Sequence, residues 1–304
     1  NLSSFAVHRA IMTKRLIPDA VLVVASPPDA NGVRSVGTAN GPIAEALKNA
    51  KMIFIEEYPD LQIAKGAPTI QPEQVTQVIP HQPAAFAALS RTPDKADYVI
   101  AKHIAALIPN GATIQMGVGG IIDALSEVLC DKRDLKSISG ALGTAVRRLE
   151  EQGNLDPDHK IYGSALVGDE DLIKWAATHE NVELLGSQKI HNPKWLSKRP
   201  LFHSINIGIS VDLAGNINAE NIGERQISGK GGSPNFSKGA HFSQNGLSIF
   251  ALRTDKGTTL VEHISKPTVH GQFVDCLITE KGSVILKGKS AADRARLIKS
   301  IFTT

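Results

Sequence analysis

Residues 204–213 alternate without a break between polar or glycine residues and large aliphatic ones. Successive side chains of a β-strand point to opposite faces, so this pattern predicts one half-buried strand. We expect its aliphatic face in a core and its polar face in solvent or in a site. The aliphatic face comprises Ile205, Ile207, Ile209, Val211 and Leu213, and the other face comprises Ser204, Asn206, Gly208, Ser210 and Asp212.

A glycine-dense stretch follows this strand directly. It holds Gly215, Gly223, Gly229, Gly231, Gly232 and Gly239. A polar strand end followed by glycine loops is a common way for α/β proteins to build ligand sites. Gly208 is expected to leave a gap beside Ser210. Ser210 does not lie in a GxSxG nucleophile elbow, and a serine on a polar strand face does not by itself indicate catalysis.

Strand and helix patterns alternate along the first half of the chain. Strands are predicted at 20–26, 51–57 and 112–116, and helices at 43–50, from Thr92 to about 108, and at 121–129, whereas 60–90 is predicted as mostly loop. Further strands are predicted at 247–252, 274–279 and 284–286, before a helix capped by Ser290. This order predicts an α/β fold with a largely parallel sheet. We expect two domains, residues 1–175 and 176–304.

Composition excludes several functional classes. The chain has 304 residues, 42% of them hydrophobic, and a formal net charge of +3 without a long basic run. These values argue against a dedicated nucleic-acid binder. No apolar run is long enough to span a bilayer, and no secretory signal is visible, so no membrane association is expected. Cys130 and Cys276 are predicted to be buried free thiols of a reducing, cytoplasmic compartment.

Two glycine loops are candidates for anion or oxyanion binding. Gly117-Val118-Gly119-Gly120 lies between a predicted strand and a predicted helix, where backbone N–H groups can hold negative charge. It is not a dinucleotide fingerprint, because Ile122 and Asp123 occupy the later positions, so a dinucleotide-dependent oxidoreductase is disfavoured. Gly229-Lys230-Gly231-Gly232 adds a lysine that can pair with phosphate or carboxylate. A plain tight turn and a flexible surface loop are the structural alternatives.

Other polar residues give weaker signals. The ten histidines show no metal-ligand spacing, so no metal site is predicted. His203 lies seven positions from Ser210 and would face the opposite side of a regular strand. The sequence therefore places no base beside Ser210. Glu56 and Glu57 are adjacent on a strand, so at most one of them enters any given site.

Several segments, taken in order, resemble the acetyl-CoA hydrolase/CoA-transferase family that includes 4-hydroxybutyrate CoA-transferases. The resemblance covers residues 20–296. It rests on six segments. In chain order they are VASPPD with the residues that follow it (24–37), acid–Tyr–Pro (56–59), NGATIQMGVG (110–119), IN…VDLAG (205–215), NIGERQISGKGGSPNF with the residues that follow it (221–243) and TEKG…LKGKS…DRA (279–295).

The resemblance implies a class I CoA-transferase, or NagB/RpiA-like, fold of two open-sheet domains. It also implies that the N-terminal domain is incomplete. The glycine loops at 117–120 and 229–232 would form the oxyanion and CoA-binding site. Asn206, Asp212, Glu56 and Glu220 would support it. Acyl-CoA would be a substrate or ligand with no permanently bound cofactor, and the chain would form a homo-oligomer or pair with a related subunit.

Ser210 stands where the resemblance places the family's catalytic glutamate. Ser233 and Asn235 also depart from the family pattern, and its histidine–glutamate pair is absent around 137–140. A CoA-transferase glutamate forms an acyl anhydride and then a thioester with CoA. A serine has no carbonyl of its own that could bind CoA, and it can only form an acyl ester.

The resemblance therefore favours acyl-thioester hydrolysis or acyl transfer with Ser210 as the catalytic residue. Three alternatives stay open. The chain is a degenerate protein that binds acyl-CoA or a partner subunit, it is a CoA-transferase whose glutamate was replaced, or another acid, Glu56 or Glu220, has taken over the reaction.

Overall fold

A computed structural model describes residues 1–80, 91–255 and 259–302. The helices of these ranges are α1 (Ser4–Met12), α2 (Ile43–Asn49), α3 (Lys95–Ala105), α4 (Gly120–Val128), α5 (Thr144–Glu151), α6 (Glu170–Thr178), α7 (Ser187–Ile190), α8 (Pro193–Leu196), α9 (Ser233–His241) and α10 (Ala291–Ser300). The strands are β1 (Ala20–Ala25), β2 (Arg34–Ser35), β3 (Met52–Glu57), β4 (Thr69–Ile70), β5 (Gln77–Pro80), β6 (Thr113–Met116), β7 (Lys136–Ser137), β8 (Ala141–Leu142), β9 (Ile161–Gly163), β10 (Ala165–Leu166), β11 (Val182–Leu184), β12 (Phe202–Ile207), β13 (Ser210–Val211), β14 (Ile217–Asn218), β15 (Asn221–Ile222), β16 (Arg225–Gln226), β17 (Leu247–Ala251), β18 (Cys276–Thr279) and β19 (Gly282–Ile285).

A six-stranded sheet in the order β19-β18-β17-β12-β6-β7 forms the centre of the fold. Every neighbouring pair is parallel except β18 and β19. Side chains on both of its faces are buried: Ile205 and Ile249 pack with helices α3 and α4, whereas Phe202 packs with α8 and α9 on the other side. This two-sided burial explains why strands such as β17 are almost continuously apolar.

A separate three-stranded parallel sheet, β1-β3-β5, lies near the N-terminus. One face packs on a small core that includes Ala25, Ile53 and Ile55. The other face is apolar but exposed, with Leu22 78% and Ile79 49% exposed. Residues 60–90 were predicted as mostly loop, and the part up to residue 80 also contains two short strands that the prediction missed, β4 and β5. Residues 81–90 lie outside the described part of the chain.

The predicted helix starts are mostly confirmed, with one correction. Helix α3 is capped by Asp94, whose side chain accepts from the backbone N–H groups of Ala96 and Asp97, and not by Thr92. Asp97 returns a bond to the Asp94 N–H and completes a capping box. Ser290 caps α10 as predicted, because its hydroxyl accepts from the Asp293 N–H.

The alternating segment 204–213 is not one strand. It leaves the sheet after Ile207, where the Gly208 N–H bonds to the carbonyl of Ala251. Strand β13 then pairs antiparallel with β14 in a separate hairpin. As a result Ile205 and Val211 are buried in different clusters, whereas Ile207 is 37% exposed. A Cβ atom on Gly208 would lie 3.2 Å from Ile217 and Leu252, so this glycine permits tight packing and does not leave a gap.

The predicted α/β class is confirmed, with open, mainly parallel sheets. The division into 1–175 and 176–304 stays a prediction, and the central sheet takes strands from both sides of residue 175. Within the described ranges, no helix has the length and apolar character that a membrane span requires.

Candidate active site

The central sheet changes its direction of winding between β6 and β12. From β6 the chain builds β7 on one side, and β12, β17 and β18 are added in turn on the other side. In open α/β sheets, ligands bind outside the carboxyl ends of the strands at such a switch point. The turn at Gly117–Gly120 follows β6, and Gly208–Ser210 follow β12. Both predicted segments therefore lie at the same edge of the sheet, after neighbouring strands.

Asn206 joins the two strands at this point. Its side-chain amide donates to the Gln115 side-chain oxygen at 3.1 Å, from β12 to β6. Gln115 is buried and precedes the glycine turn by two residues. Asn206, predicted as a supporting residue, thus holds the two strand ends in register.

The Gly117–Gly120 turn lines a small cavity of about 70 Å³. The starts of α4, α5 and α6 border this cavity through Gly119, Thr144 and Asp169. Gly119 has φ +113°, a conformation that side-chain-bearing residues rarely adopt, and it caps α4 without a side-chain bond. The cavity is large enough for a small acyl group or an oxyanion, but not for a nucleotide.

Ser210 lines a separate and much larger cavity of about 810 Å³. Its hydroxyl oxygen accepts a bond of 3.1 Å from the Asn218 side-chain amide. The orientation of that amide is set by nearby backbone, because the side-chain oxygen of Asn218 (Oδ1) accepts from the backbone N–H groups of Glu220 and Asn221. Ser210 is 7% exposed, and its hydroxyl does not donate to any described residue.

The large cavity is lined by basic rather than acidic side chains. Arg253, His263 and Lys266 border it, and the described residues that line it include no carboxylate. Such a wall suits a ligand that carries phosphates or a carboxylate. The sequence analysis missed these three residues, because basic residues in loops after strands carry no distinctive spacing.

Asp212, the second predicted supporting residue on this segment, has a structural role. Its buried carboxylate accepts from the backbone N–H groups of Ala214, Asn216 and Ile264 at 2.9–3.1 Å. The last of these bonds fixes the chain next to His263. Backbone bonds from Val211 to Thr259 and from Val261 to Val211 hold the same segment alongside β13.

Arg253 connects the large cavity with the glycine turn. Its guanidinium donates to Asp94 and Asp97 at 2.8 Å each, and it also bonds to Asp255. The pKa of Arg253 is raised, first by the hydrogen bond to Asp255 and then by those to Asp94 and Asp97, and Arg253 in turn lowers the pKa of Asp94 to about 2. Asp97 is fully buried, and a Cβ on Gly120 would lie 2.8 Å from its Oδ2 atom.

The second glycine loop lies elsewhere. Gly232 borders a third cavity of about 340 Å³ beside His191, and Gly231 accepts a backbone bond from Ser4. Lys230 donates to the backbone carbonyl of Pro267 at 3.0 Å and does not line the Ser210 cavity. Neither Gly229 nor Gly231 lines any of the three cavities.

The two candidate glutamates lie outside the lining of the Ser210 cavity, although the Glu220 N–H bonds to the Asn218 side chain that contacts Ser210. Buried Glu220 accepts from the Thr268 hydroxyl at 3.0 Å and from the Asn1 side chain at 2.7 Å. Exposed Glu56 ends β3 in the three-stranded sheet and borders a cavity of about 230 Å³ with apolar neighbours. Neither lines the cavity that contains Ser210.

The cysteines differ from each other. Both are free thiols, as predicted, but only Cys276 is buried, whereas Cys130 is exposed. The prediction of burial was therefore wrong for Cys130, because it lies in the exposed turn that ends α4. Burial raises the pKa of Cys276 to about 12.

Comparisons with known proteins agree with this fold. A family model described as the acetyl-CoA hydrolase/transferase C-terminal domain matches residues 168–302. The 4-hydroxybutyrate coenzyme A transferase of Clostridium kluyveri is 30% identical over 95% of this chain and 70% of its own length. The acetyl-CoA hydrolase of Kluyveromyces lactis is 25% identical over 75% of this chain and 47% of its own length.

A solved structure supports the same conclusion. The crystal structure of 4-hydroxybutyrate CoA-transferase from Porphyromonas gingivalis matches with a TM-score of 0.82 and 24% identity, over 99% of this chain and 76% of that chain. At this identity the likeness establishes the fold. Together with the 30% identity to the Clostridium protein, these findings confirm the resemblance noted in the sequence: the chain belongs to the acetyl-CoA hydrolase/CoA-transferase family.

Proposed function

We propose that this protein processes acyl-CoA thioesters and that Ser210 accepts the acyl group, which then passes to water or another acceptor. The observation that carries the proposal is the lining of the Ser210 cavity, which combines a hydroxyl and three basic side chains with no carboxylate among its described residues. Relatives are named CoA-transferases and acetyl-CoA hydrolases, which supports acyl-CoA as the substrate.

The absence of a carboxylate from the described lining supports hydrolysis or acyl transfer over CoA transfer through the enzyme. CoA transfer through the enzyme needs an enzyme carbonyl to which CoA can bind, and neither Glu56 nor Glu220 lines the cavity. Ser210 can form an acyl ester, whose hydrolysis releases a free acid. We therefore propose a thioesterase or acyltransferase on a CoA-transferase scaffold, with acyl-CoA as a substrate and not as a resident cofactor.

The two cavities, which follow the adjacent strands β6 and β12, suit the two ends of an acyl-CoA. The larger one, with Lys266 and His263 on its wall, has the volume and charge for the CoA part. The smaller one, at Gly117–Gly120, fits a short acyl group or a developing oxyanion beside backbone N–H groups. This division predicts a preference for short acyl chains.

The test is release of free thiol from acetyl-CoA, butyryl-CoA and 4-hydroxybutyryl-CoA, with and without added acetate. We expect thiol release that does not depend on acetate and that Ser210→Ala abolishes. Ser265→Ala is the matched control, because Ser265 lines the same cavity and has no proposed role in the reaction. CoA exchange that requires acetate would contradict the proposal, and tight CoA binding without turnover would indicate a degenerate binding protein.

We further propose that the protein assembles, either with a second copy or with a related subunit, in a reducing cytoplasmic compartment. The exposed apolar face of the three-stranded sheet, which includes Leu22 and Ile79, supports assembly, since such faces commonly mark interaction surfaces. The two free thiols support a reducing compartment. Light scattering of the purified chain measures its mass, and a mass of one chain would contradict self-assembly.

A further inference from the structure

Ser210 needs a base if it is to attack a thioester, because the hydroxyl of a free serine is a weak nucleophile. The sequence analysis found none, since His203 was expected on the opposite side of the strand. The structure agrees on that residue: His203 is buried in β12, and it does not line the Ser210 cavity. A base must therefore come from another segment.

His263 lines the same cavity as Ser210. It is exposed, and in the described part of the chain its imidazole makes no hydrogen bond or ion pair. Two other histidines have hydrogen-bond partners: His241 bonds to Asp275 at 2.7 Å, and the buried His191 bonds to Ser187. Of the described residues that line the Ser210 cavity, His263 is the one histidine, and neither of its ring nitrogens bonds to a described residue.

The backbone around His263 is held in place against the serine strand. The segment 259–261 runs parallel to Val211 through two backbone bonds of 2.8 and 2.9 Å. One residue after His263, the Ile264 N–H donates to the buried carboxylate of Asp212 at 3.1 Å. Asp212 is two residues from Ser210, so the same short strand fixes both the serine and the base.

The Asn218 side chain contacts the oxygen of the Ser210 hydroxyl and not its proton. Its amide donates to the Ser210 oxygen, and the hydroxyl proton is left without a described acceptor. A donor to that oxygen stabilises the negative charge that develops when the proton leaves. The arrangement therefore leaves the proton available to a group in the cavity.

We propose that His263 is the general base for Ser210, an inference that rests on the function proposed above. His263 takes the hydroxyl proton while the serine oxygen bonds to the thioester carbon. The carbon–sulfur bond breaks, and the proton passes to the CoA thiolate as it leaves. His263 then takes a proton from water, the water oxygen attacks the acyl ester, and the serine oxygen recovers a proton as the free acid departs.

The test compares His263→Gln and His263→Ala with His270→Gln, an exposed histidine that lies outside this cavity. Thiol release is measured from pH 5 to 9. We expect a fall of about 10²-fold or more in kcat/KM for both His263 variants. We also expect both His263 variants to lose the acidic limb of the pH profile, because the protonated imidazole cannot act as a base. Added imidazole should restore part of the activity of His263→Ala.

The outcomes separate this inference from the proposed function. If Ser210→Ala abolishes thiol release but both His263 variants keep full activity and the acidic limb, the function stands and the assignment of His263 is wrong. If the unmodified protein releases no thiol from any of the three thioesters, both are wrong. CoA affinity and the melting temperature of each variant, measured in parallel, exclude a loss caused by unfolding.

Discussion

Arg253 Nη1 lies 2.8 Å from Asp97 Oδ1, and this buried ion pair joins the end of β17 to the start of α3. Arg253 borders the Ser210 cavity, whereas the Asp97 carboxylate lies directly against Gly120 in the glycine turn. Arg91 provides a second cation for Asp97 at 2.7 Å. The pair therefore links a residue that lines the Ser210 cavity to the first residue of α4, next to the small cavity.

Replacing Asp97 with Asn should destabilise the protein by about 1.5–3 kcal/mol, because a buried carboxylate that accepts from both Arg253 and Arg91 loses its charge. Chemical denaturation measures this change. Asp255→Asn is the control: it removes another partner of Arg253 that is 47% exposed, and it should cost at most about 1 kcal/mol. Equal losses for the two variants would contradict the role assigned to Asp97.

The stability of the fold should fall as the pH falls from about 6.5 to about 4. Burial, with a smaller contribution from the neighbouring His8, lowers the pKa of His191 to about 4. Because the folded pKa is below the unfolded value of about 6.5, the unfolded chain takes up a proton in this window that the folded chain does not. The contribution of His191 to the loss is about 3 kcal/mol.

Urea unfolding at pH 7, 6, 5 and 4 measures this dependence. His191→Gln should be less stable at pH 7 but should lose less stability on acidification. Carboxylates and other histidines also make the free energy of unfolding depend on pH. The readout is therefore the difference in this dependence between the variant and the unmodified chain. A variant with the same slope as the unmodified chain would show that His191 does not contribute.

Lys266→Gln should weaken CoA binding by about tenfold, since a hydrogen bond to a charged group is worth about 1.5 kcal/mol. Binding of an acyl-pantetheine, which lacks the nucleotide phosphates, should change little. Isothermal titration with both ligands measures the difference. Lys230→Gln is the control, because that lysine bonds to the carbonyl of Pro267 and lies outside the cavity. A larger loss of CoA binding in Lys230→Gln than in Lys266→Gln would indicate that the second glycine loop, and not Lys266, contacts the phosphates.

The unmodified protein should show no exchange of CoA between acetyl-CoA and a second carboxylate, and Ser210→Glu should introduce a trace of it. The cavity beside Ser210 has room for the longer side chain, and Asn218 is within reach of it. The gain should be weak, because catalysis depends on the positioning of neighbours that this chain has replaced, such as Ser233 and Asn235. Transfer of label from labelled acetate into acetyl-CoA measures it. Strong exchange by the unmodified protein would overturn the role of Ser210.

One thiol per chain should react with a maleimide in the native state. Cys130 is exposed, whereas Cys276 is buried and burial raises its pKa to about 12. Reaction requires a thiolate with access to the reagent. Mass spectrometry after brief labelling should find the adduct on Cys130 alone, and on both residues after denaturation. Rapid native labelling of Cys276 would contradict its burial.

The sequence by itself determined the α/β class, most of the strands and helices, and the family. These features follow from local patterns: the apolar run at 20–25 suits a strand, and Ser290 followed by Asp293 suits a helix start. The expectation that the strand at 20–25 is buried was wrong, because alternate side chains of β1, such as Leu22, lie on the exposed face of the three-stranded sheet. It did not determine where the strand at 204–213 leaves the sheet. Alternation describes two short strands on either side of Gly208 as well as it describes one long strand.

Only the tertiary structure decided which side chains surround Ser210. His263 and Lys266 lie more than 50 residues along the chain from Ser210, and they reach its cavity because Asp212 and Val211 bind the intervening backbone. Likewise the glycine loop at 229–232 is close to Ser210 in sequence but lies beside His191. Local spacing sets the course of the backbone within an element, whereas the meeting of distant elements depends on packing and hydrogen bonds that no short pattern encodes.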